Sequence, residues 1–184
     1  RQPLQSIIHQ TELEALKLAP ASPELGRATI VLSQEADRLQ RLQTALAPIL
    51  EAFDYILIDC PPSLDLLTIN ALIAANRVLI PIQCEYFALE GVSELMETPN
   101  EIRRAANPHL EIEGVLLTMY DRRLNLSRQV ADEAREYFGD KVYRSTIPRN
   151  VALAEAPSFG KPIVQYDVLS VGAKCYLTLA REVM

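Results

Sequence analysis

The sequence predicts an α/β fold in which a mostly parallel sheet is flanked by helices. Short apolar runs rich in β-branched residues alternate along the chain with segments whose apolar residues recur at helical spacing. The run Tyr55–Asp59 is apolar without alternation up to its final carboxylate, which is typical of a strand covered on both faces. A chain of 184 residues can bury one substantial core, and no repeat or linker divides it.

Each predicted element follows from its local pattern. Pro48 and Pro99 lie inside helical patterns and are expected to kink or split them, because proline lacks a backbone donor. The predicted strands are Leu16–Ala19, Tyr55–Asp59, Arg77–Gln83, Gly114–Met119 and Val142–Ile147. The predicted helices are Ala36–Phe53, Asp65–Ala75, Leu89–Ala106, Leu126–Phe138, Val151–Ala156 and Ser170–Met184.

The composition excludes several classes of protein. The net charge is −6, so the chain as a whole is not a basic nucleic-acid binder. No apolar run approaches the ~18 residues that a membrane-spanning helix needs. Cys60, Cys84 and Cys175 are odd in number and far apart, which argues against a disulfide framework and favours a reducing cytoplasm. With only His9 and His109 in addition, no Cys/His cluster has the spacing of a zinc site.

The basic residues are unevenly distributed along the chain. The segment Arg122–Arg149 holds seven basic residues against four acidic ones, a net charge of +3, whereas the remainder carries −9. Within it, Arg122 and Arg123 are adjacent in a loop before a predicted helix, where arginines can bind phosphates non-specifically. Two exposed arginines are also what an ordinary solvated surface presents, so both interpretations stay open.

Asp59 is the candidate metal-binding residue. It ends a predicted apolar strand, and open α/β sheets bind ligands outside the carboxyl ends of their strands. A carboxylate there can hold the water shell of Mg²⁺ beside nucleotide phosphates. Aspartate also caps turns, and Pro61 and Pro62 predict a turn directly after it. The strand and its carboxylate alone leave both interpretations open.

The surrounding motifs decide between these interpretations. The segment YILIDCPPSLDLLTIN, Tyr55–Asn70, resembles the Walker B and switch II region of the ParA/Soj chromosome- and plasmid-partitioning ATPases. Those proteins belong, with MinD, to the deviant-Walker class of P-loop proteins. The resemblance covers nearly the whole chain and continues in the family's order through Val78–Gly91, Ile112–Val130, Ile147–Ile163 and Tyr166–Glu182.

The resemblance implies a P-loop NTPase fold and an ATPase that uses ATP and Mg²⁺. It implies that Asp59 is the catalytic Walker B residue, which organises Mg²⁺ through water. It places Pro148, Arg149 and Asn150 beside the adenine, with Met119 near the base on the neighbouring strand. Without the resemblance, Asn150 would be assigned to capping of the following helix, because asparagine is a preferred N-cap residue; both roles can hold.

The resemblance also implies partners. It implies a nucleotide-dependent homodimer that binds non-specific DNA and is released when a ParB-like partner stimulates hydrolysis. The family arginine at the position of Arg123 contributes to DNA binding, so Arg123 is expected to bind DNA with Arg122 beside it. A second family arginine is replaced by Ala152, so either DNA binding is weaker or Arg122 or Arg128 compensates. The expected location is the cytoplasm, on the nucleoid and not on a membrane.

One part of the family's site has no counterpart in the sequence. The phosphate-binding motif G-x-x-x-x-G-K-[ST] is absent, because the sole Gly-Lys pair, Gly160–Lys161, is followed by Pro162 and has Glu155 at the place of the first glycine. The chain is therefore expected to be the C-terminal portion of one ParA-like nucleotide-binding domain that lacks its first strands. It is expected to be inactive alone and to expose apolar faces.

Two other functions remain as alternatives. The first is a non-catalytic, truncated module that binds DNA or a partner protein. The second is a MinD-like membrane ATPase, which calls for a basic amphipathic C-terminal helix. The tail Tyr176–Met184 holds one arginine and one glutamate, which does not favour it.

Overall fold

The computed structural model describes residues 3–61, 63–85 and 96–184, which divide into two compact units. The first unit comprises Arg1–Asn76 with Thr98–Leu110, and the second comprises Arg77–Glu97 with Glu111–Met184. Each unit has its own apolar core. The predicted α/β class is confirmed, because the second unit is built on a parallel sheet that is flanked by helices.

The first unit consists of helices and a small antiparallel strand pair. Its elements are β1 (His9–Gln10), β2 (Lys17–Leu18), α1 (Pro23–Leu32), α2 (Arg41–Leu46), a 3₁₀ helix at Ala47–Ala52, α3 (Leu66–Ala74) and most of α4 (Glu97–Ala105). The predicted strand Leu16–Ala19 forms as β2, but its partner is β1. Helix α1 was missing from the prediction, although Ser22 at the N-cap and Pro23 after it are ordinary start signals.

Asn70 ties α3 to the start of α2. Its side chain is buried, and its Nδ2 donates to the carbonyl of Arg38 at 2.7 Å while its Oδ1 accepts from the backbone N–H of Leu42 at 3.2 Å. Helix α2 gives way to the 3₁₀ helix at Ala47, next to Pro48. The split predicted at Pro48 is therefore confirmed, because a proline nitrogen cannot donate within a helix.

The buried strand predicted at Tyr55–Asp59 is wrong. Residues 55–60 have neither helix nor strand structure, and Leu57 is 93% exposed. The side chains of Tyr55, Ile56 and Ile58 are exposed as well. An apolar β-forming run becomes a strand only when a neighbour pairs with its N–H and C=O groups, and no described residue does so here. The run is instead an exposed apolar segment.

The second unit is a three-stranded parallel sheet of order β3-β4-β5 with helices around it. Its elements are β3 (Arg77–Gln83), β4 (Glu111–Thr118), α5 (Asn125–Phe138), β5 (Val142–Thr146), α6 (Val151–Glu155), α7 (Ile163–Tyr166) and α8 (Val171–Val183). Helix α7 was not predicted, and β4 begins at Glu111 rather than at Gly114; the other bounds agree closely with the predicted elements. Residues 89–95 of the predicted helix Leu89–Ala106 lie outside the described residues, and the described remainder contains α4, which has Pro99 in its first turn.

Strand β4 is covered on both faces, as a central strand should be. Val115 and Leu117 face the core that β3 and β4 form with α5, to which Val130 contributes. Leu116 faces the opposite core, to which Leu179 of α8 contributes. The carboxyl end of β4 is thereby fixed between two layers of helices. In the described ranges, no helix has the length and apolarity required to cross a membrane.

Candidate functional site

The carboxyl ends of β4 and β5 border a surface recess of about 560 Å³. Four predicted site residues line it: Arg122 and Arg123 from the loop after β4, and Pro148 and Arg149 from the turn after β5. The structure therefore brings predicted DNA-binding and nucleotide-binding residues to one place. The described residues that line it are Tyr120, Asp121, Arg122, Arg123, Thr146, Pro148, Arg149 and Cys175.

Backbone hydrogen bonds hold the two strand ends side by side. The N–H of Ile147 donates to the carbonyl of Leu117 at 2.9 Å, and the N–H of Tyr120 donates to the carbonyl of Ile147 at 3.1 Å. Between them, Met119 has a φ of 52° and a side chain that is 40% exposed. That left-handed conformation costs a residue with a Cβ about 1 kcal/mol, and it turns the chain into the following loop.

The loop Asp121–Leu124 before α5, which we call the arginine loop, contains a bidentate ion pair. The Nε of Arg123 donates to Oδ1 of Asp121 at 3.0 Å, and its Nη2 donates to Oδ2 at 2.7 Å. Oδ1 also accepts from the backbone N–H of Arg123 at 3.0 Å. Hydrogen bonds from the Arg123 side chain and backbone lower the pKa of Asp121 to about 2. The Arg123 side chain is nevertheless 85% exposed, so it can still reach a ligand.

Arg122 differs from its neighbour in its surroundings. It is exposed and lines the same recess, but it forms no ion pair with any residue that the structure describes. Of the two predicted DNA-binding arginines, one is therefore paired within the loop and the other is open to an external anion.

A buried hydroxyl anchors the arginine loop. Ser127 of α5 is fully buried; its Oγ donates to the carbonyl of Cys84 at 3.3 Å and accepts from the N–H of Asp121 at 3.4 Å. Cys84 follows β3 and Asp121 follows β4, so one hydroxyl joins the loop to two strand ends. The sequence prediction missed Ser127. Its signal is a serine in helical register with the apolar residues Val130 and Ala134.

The turn after β5 positions the other predicted residues. Asn150 is the N-cap of α6, since its Oδ1 accepts from the N–H of Leu153 at 3.3 Å. The capping interpretation is therefore confirmed, while a role beside a base stays a prediction. The guanidinium of Arg149 is paired with the carboxylate of Glu85, which lies just past β3. This ion pair links the turn to a third strand end.

A glycine lets α6 lie close to α8. A Cβ on Gly172 would come within 2.5 Å of Cγ of Leu153. Leu153 of α6 packs against the core between α8 and the sheet. The absence of a side chain at Gly172 therefore permits the close approach of α6, whose N-cap is Asn150, to that core. This contact was also not foreseen from sequence.

Asp59 belongs to the first unit and is not one of the residues that line the recess. Its side chain is exposed. Among the described residues, no group of three or more His, Cys, Asp and Glu could hold a metal ion directly. A lone exposed carboxylate fits a Mg²⁺ that keeps most of its waters, which is the mode that Mg²⁺ usually adopts. The catalytic and metal-binding roles of Asp59 stay predictions.

Comparison with known proteins assigns the chain to a family. A family profile described as an AAA domain matches residues 1–112. The chromosome partitioning protein ParA of Myxococcus xanthus is 52% identical over 182 residues, which cover 99% of this chain and 64% of that protein. The sporulation initiation inhibitor protein Soj of Bacillus subtilis is 54% identical over 177 residues, which cover 96% of this chain and 70% of that protein.

Solved structures share the fold. Cobyrinic acid a,c-diamide synthase from Mycobacterium smegmatis matches with a TM-score of 0.81 and 33% identity, covering 98% of this chain and 66% of the synthase. A second structure of that enzyme, with bound ATP analogue and magnesium, matches with a TM-score of 0.74. The chain spans 64% of the Myxococcus protein and 66% of the synthase, which is about two thirds of each. From the identities and the extent of the match, the chain belongs to the ParA/Soj family of chromosome-partitioning proteins.

Proposed function

We propose that the chain is part of an ATPase that acts in chromosome or plasmid partitioning, binding Mg-ATP and non-specific DNA as a nucleotide-dependent homodimer. The observation that carries the proposal is the recess in which Arg122 and Arg123 lie beside Pro148 and Arg149. The high identity to ParA and Soj proteins supports the partitioning role. A ParB-like partner protein and a location on the nucleoid in the cytoplasm belong to the same proposal.

The charges of the recess support DNA as a ligand. Three arginines line it, and the segment Arg122–Arg149 carries a net charge of +3 in a chain whose overall charge is −6. The planar guanidinium group bonds phosphate oxygens in pairs, and such contacts require no particular base sequence. DNA binding by this surface should therefore not depend on the base sequence, and the affinity should fall steeply as the salt concentration rises.

The turn after β5 supports a base as the second ligand. Oδ1 of Asn150 is used by the cap of α6, but its Nδ2 has no partner among the described residues, so it can donate to a base edge. The backbone around Met119 and Pro148 borders the same strand ends. The residues present therefore fit the base end of a nucleotide. Bound Mg-ATP would supply the phosphoryl group, and Asp59 would hold the metal through its water shell.

The sequence offers no comparable binding residues for the phosphates of the nucleotide, because it holds no G-x-x-x-x-G-K-[ST] loop. We therefore propose that residues 1–184 belong to a single nucleotide-binding domain but do not hydrolyse ATP by themselves. The non-catalytic module that binds DNA or a partner remains the second candidate. The exposed Arg122, which forms no ion pair within the described ranges, favours DNA as its ligand.

The test measures duplex DNA binding and ATP hydrolysis for this chain and for the product of its complete gene. Fluorescence anisotropy with DNA of mixed sequence is expected to show binding that falls with salt and weakens in Arg122→Gln and Arg123→Gln. Arg135→Gln is the matched control, because Arg135 is exposed on α5, is paired with Asp132 and does not line the recess.

The outcomes separate the two candidates. Hydrolysis by the complete product but not by the chain, with DNA binding that depends on Arg122 and Arg123, supports the proposal. DNA binding without hydrolysis by either protein favours the non-catalytic module. If neither protein binds DNA, the assignment of the recess as a DNA-binding surface is overturned. It is also overturned if Arg135→Gln weakens DNA binding as much as Arg122→Gln and Arg123→Gln do.

A further inference from the structure

Arg122 and Arg123 are neighbours in the chain, yet of the two Arg123 alone forms an ion pair with a residue that the structure describes. The carboxylate of Asp121 occupies both Nε and Nη2 of Arg123, at 3.0 Å and 2.7 Å. These two nitrogens form one of the two forks that a guanidinium offers to a bidentate phosphate, the other being Nη1 with Nη2. An external phosphate that uses this fork must therefore displace or share the carboxylate.

We propose that Asp121 sets the DNA affinity of the arginine loop by competing with DNA phosphates for Arg123. This inference rests on the proposed DNA binding and deepens it by naming the residue that limits affinity. With Asp121 ionised, the charges of Asp121, Arg122 and Arg123 leave the loop one net positive charge; without that carboxylate they would leave two. The arginine loop therefore binds DNA phosphates less tightly than its two arginines would without the Asp121 carboxylate.

The position of Asp121 makes the competition persistent. Its backbone N–H is held by the buried Ser127 hydroxyl at 3.4 Å, so the carboxylate stays beside the arginine when the Arg123 side chain moves. The carboxylate is charged throughout the neutral range whether or not Arg123 is bound to it, because an ordinary aspartate pKa of about 3.9 already lies far below neutrality. The competitor is therefore present under all ordinary conditions.

Asp121 also accepts a hydrogen bond from the backbone N–H of Arg123 at 3.0 Å, so it shapes the turn as well. Asp121→Asn keeps the oxygen that accepts this hydrogen bond and removes the negative charge. It therefore separates the role of Asp121 in the turn from its role as a competitor for Arg123. Asp121→Ser provides a second variant, since a serine hydroxyl can make a similar local turn. Circular dichroism and the urea midpoint establish that each variant is folded.

The experiment compares duplex DNA affinity across a salt series for the wild-type chain, Asp121→Asn and Asp121→Ser. Removal of the carboxylate is expected to tighten binding about three- to tenfold at low salt and to steepen the slope of log affinity against log salt by up to about one, because one more phosphate contact releases one more counter-ion. Asp132→Asn is the matched control, as it removes an exposed aspartate paired with Arg135 away from the recess.

A double-mutant cycle shows whether Asp121 acts through Arg123. The gain from Asp121→Asn should disappear in the Arg123→Gln background and persist in the Arg122→Gln background. Unchanged or weaker binding by Asp121→Asn, with loss of binding in the arginine variants, overturns this inference and leaves the proposed DNA binding intact. No binding by the wild type, by Asp121→Asn or by Asp121→Ser overturns the proposed DNA binding itself. A gain that persists with Arg123→Gln also overturns the inference.

Discussion

The Ser127 hydroxyl donates to the backbone carbonyl of Cys84 at 3.3 Å in a fully buried position. The same oxygen accepts from the N–H of Asp121 at 3.4 Å. Both partners are backbone groups at the carboxyl ends of neighbouring parallel strands, where the ladder no longer pairs them. The arginine loop is therefore held in place from beneath by a group that takes no part in ligand binding.

Ser127→Ala is expected to destabilise the protein and to loosen the loop. It leaves a carbonyl and an N–H without their hydroxyl partner, and a buried polar group without a partner costs about 1–3 kcal/mol. The urea midpoint should fall, and hydrogen exchange at the Asp121 amide should quicken. Thr178→Ala serves as the control, because the hydroxyl of the exposed Thr178 bonds, among the described residues, to the carbonyl of Lys174 within α8. Equal effects of the two substitutions would contradict the anchoring role.

Most of the fold of the second unit could be predicted from the sequence because its elements, apart from the four-residue helix α7, carry a complete local signal. Arg77–Gln83 and Val142–Thr146 are short β-forming runs, and Asn125–Phe138 has an apolar face at helical spacing. Those patterns already determine which side of each element is buried. Parallel pairing follows because a helical connection joins successive strands.

Tyr55–Asp59 shows where local patterns fail. Its residues have the right propensities for a central strand, but strand formation depends on partners elsewhere in the chain, and the described residues supply none. The contacts of the site have the same limitation. The hydrogen bond between Ser127 and Cys84 and the contact between Gly172 and Leu153 join residues that are distant in sequence. The tertiary fold brings them together, and the periodicity of the sequence does not reveal it.

Gly172→Ala is expected to lower stability and to disturb the turn at Asn150. Its new Cβ would lie 2.5 Å from Cγ of Leu153, so α6 or α8 must shift, at a cost of about 1–3 kcal/mol. Gly26→Ala is the matched control, because Gly26 lies within α1 with nothing within 4 Å of an added Cβ. That variant should gain about 0.5–1 kcal/mol from helix propensity. Urea midpoints that move in the same direction would contradict the packing argument.

Glu182→Gln is expected to weaken the β5 edge of the sheet. The Glu182 carboxylate accepts from the backbone N–H groups of Arg144 at 2.7 Å and Ser145 at 3.0 Å, both in β5, the last strand in the described order of the sheet. An amide accepts through one oxygen and points a donor at the second N–H, so the loss should be about 1–2 kcal/mol. The urea midpoint measures it, with Glu136→Gln on the exposed face of α5 as control. No difference between the variants would contradict edge protection.

The Asp121–Arg123 pair is expected to contribute stability that acid removes. The pKa of Asp121 is about 2 in the folded protein, below the ~3.9 of an unfolded aspartate, so the unfolded state binds the proton more tightly. The contribution is therefore complete above about pH 5 and is lost as the pH falls towards 2. Because other carboxyl groups titrate in the same range, the fall in urea midpoint should be compared with that of Arg123→Gln. A fall just as large in that variant would contradict the assignment.

Asn150 is expected to serve both as a helix cap and as a contact to a base, and the two roles can be separated. Asn150→Ser keeps a capping oxygen for the N–H of Leu153 and removes the amide donor, whereas Asn150→Ala removes both. The alanine variant should lose about 1 kcal/mol of stability and the serine variant much less. In the complete gene product, both should weaken ATP binding to a similar degree.

The control for that experiment is Ser170→Ala. Ser170 caps α8, where its Oγ accepts from the N–H of Ala173 at 3.1 Å, and it does not line the recess. Its loss should lower stability about as much as Asn150→Ala without changing ATP affinity. If Asn150→Ser binds ATP like the wild type while Asn150→Ala and Ser170→Ala are equally impaired, capping alone accounts for Asn150, and the base contact must be assigned to the backbone around Pro148 or Met119.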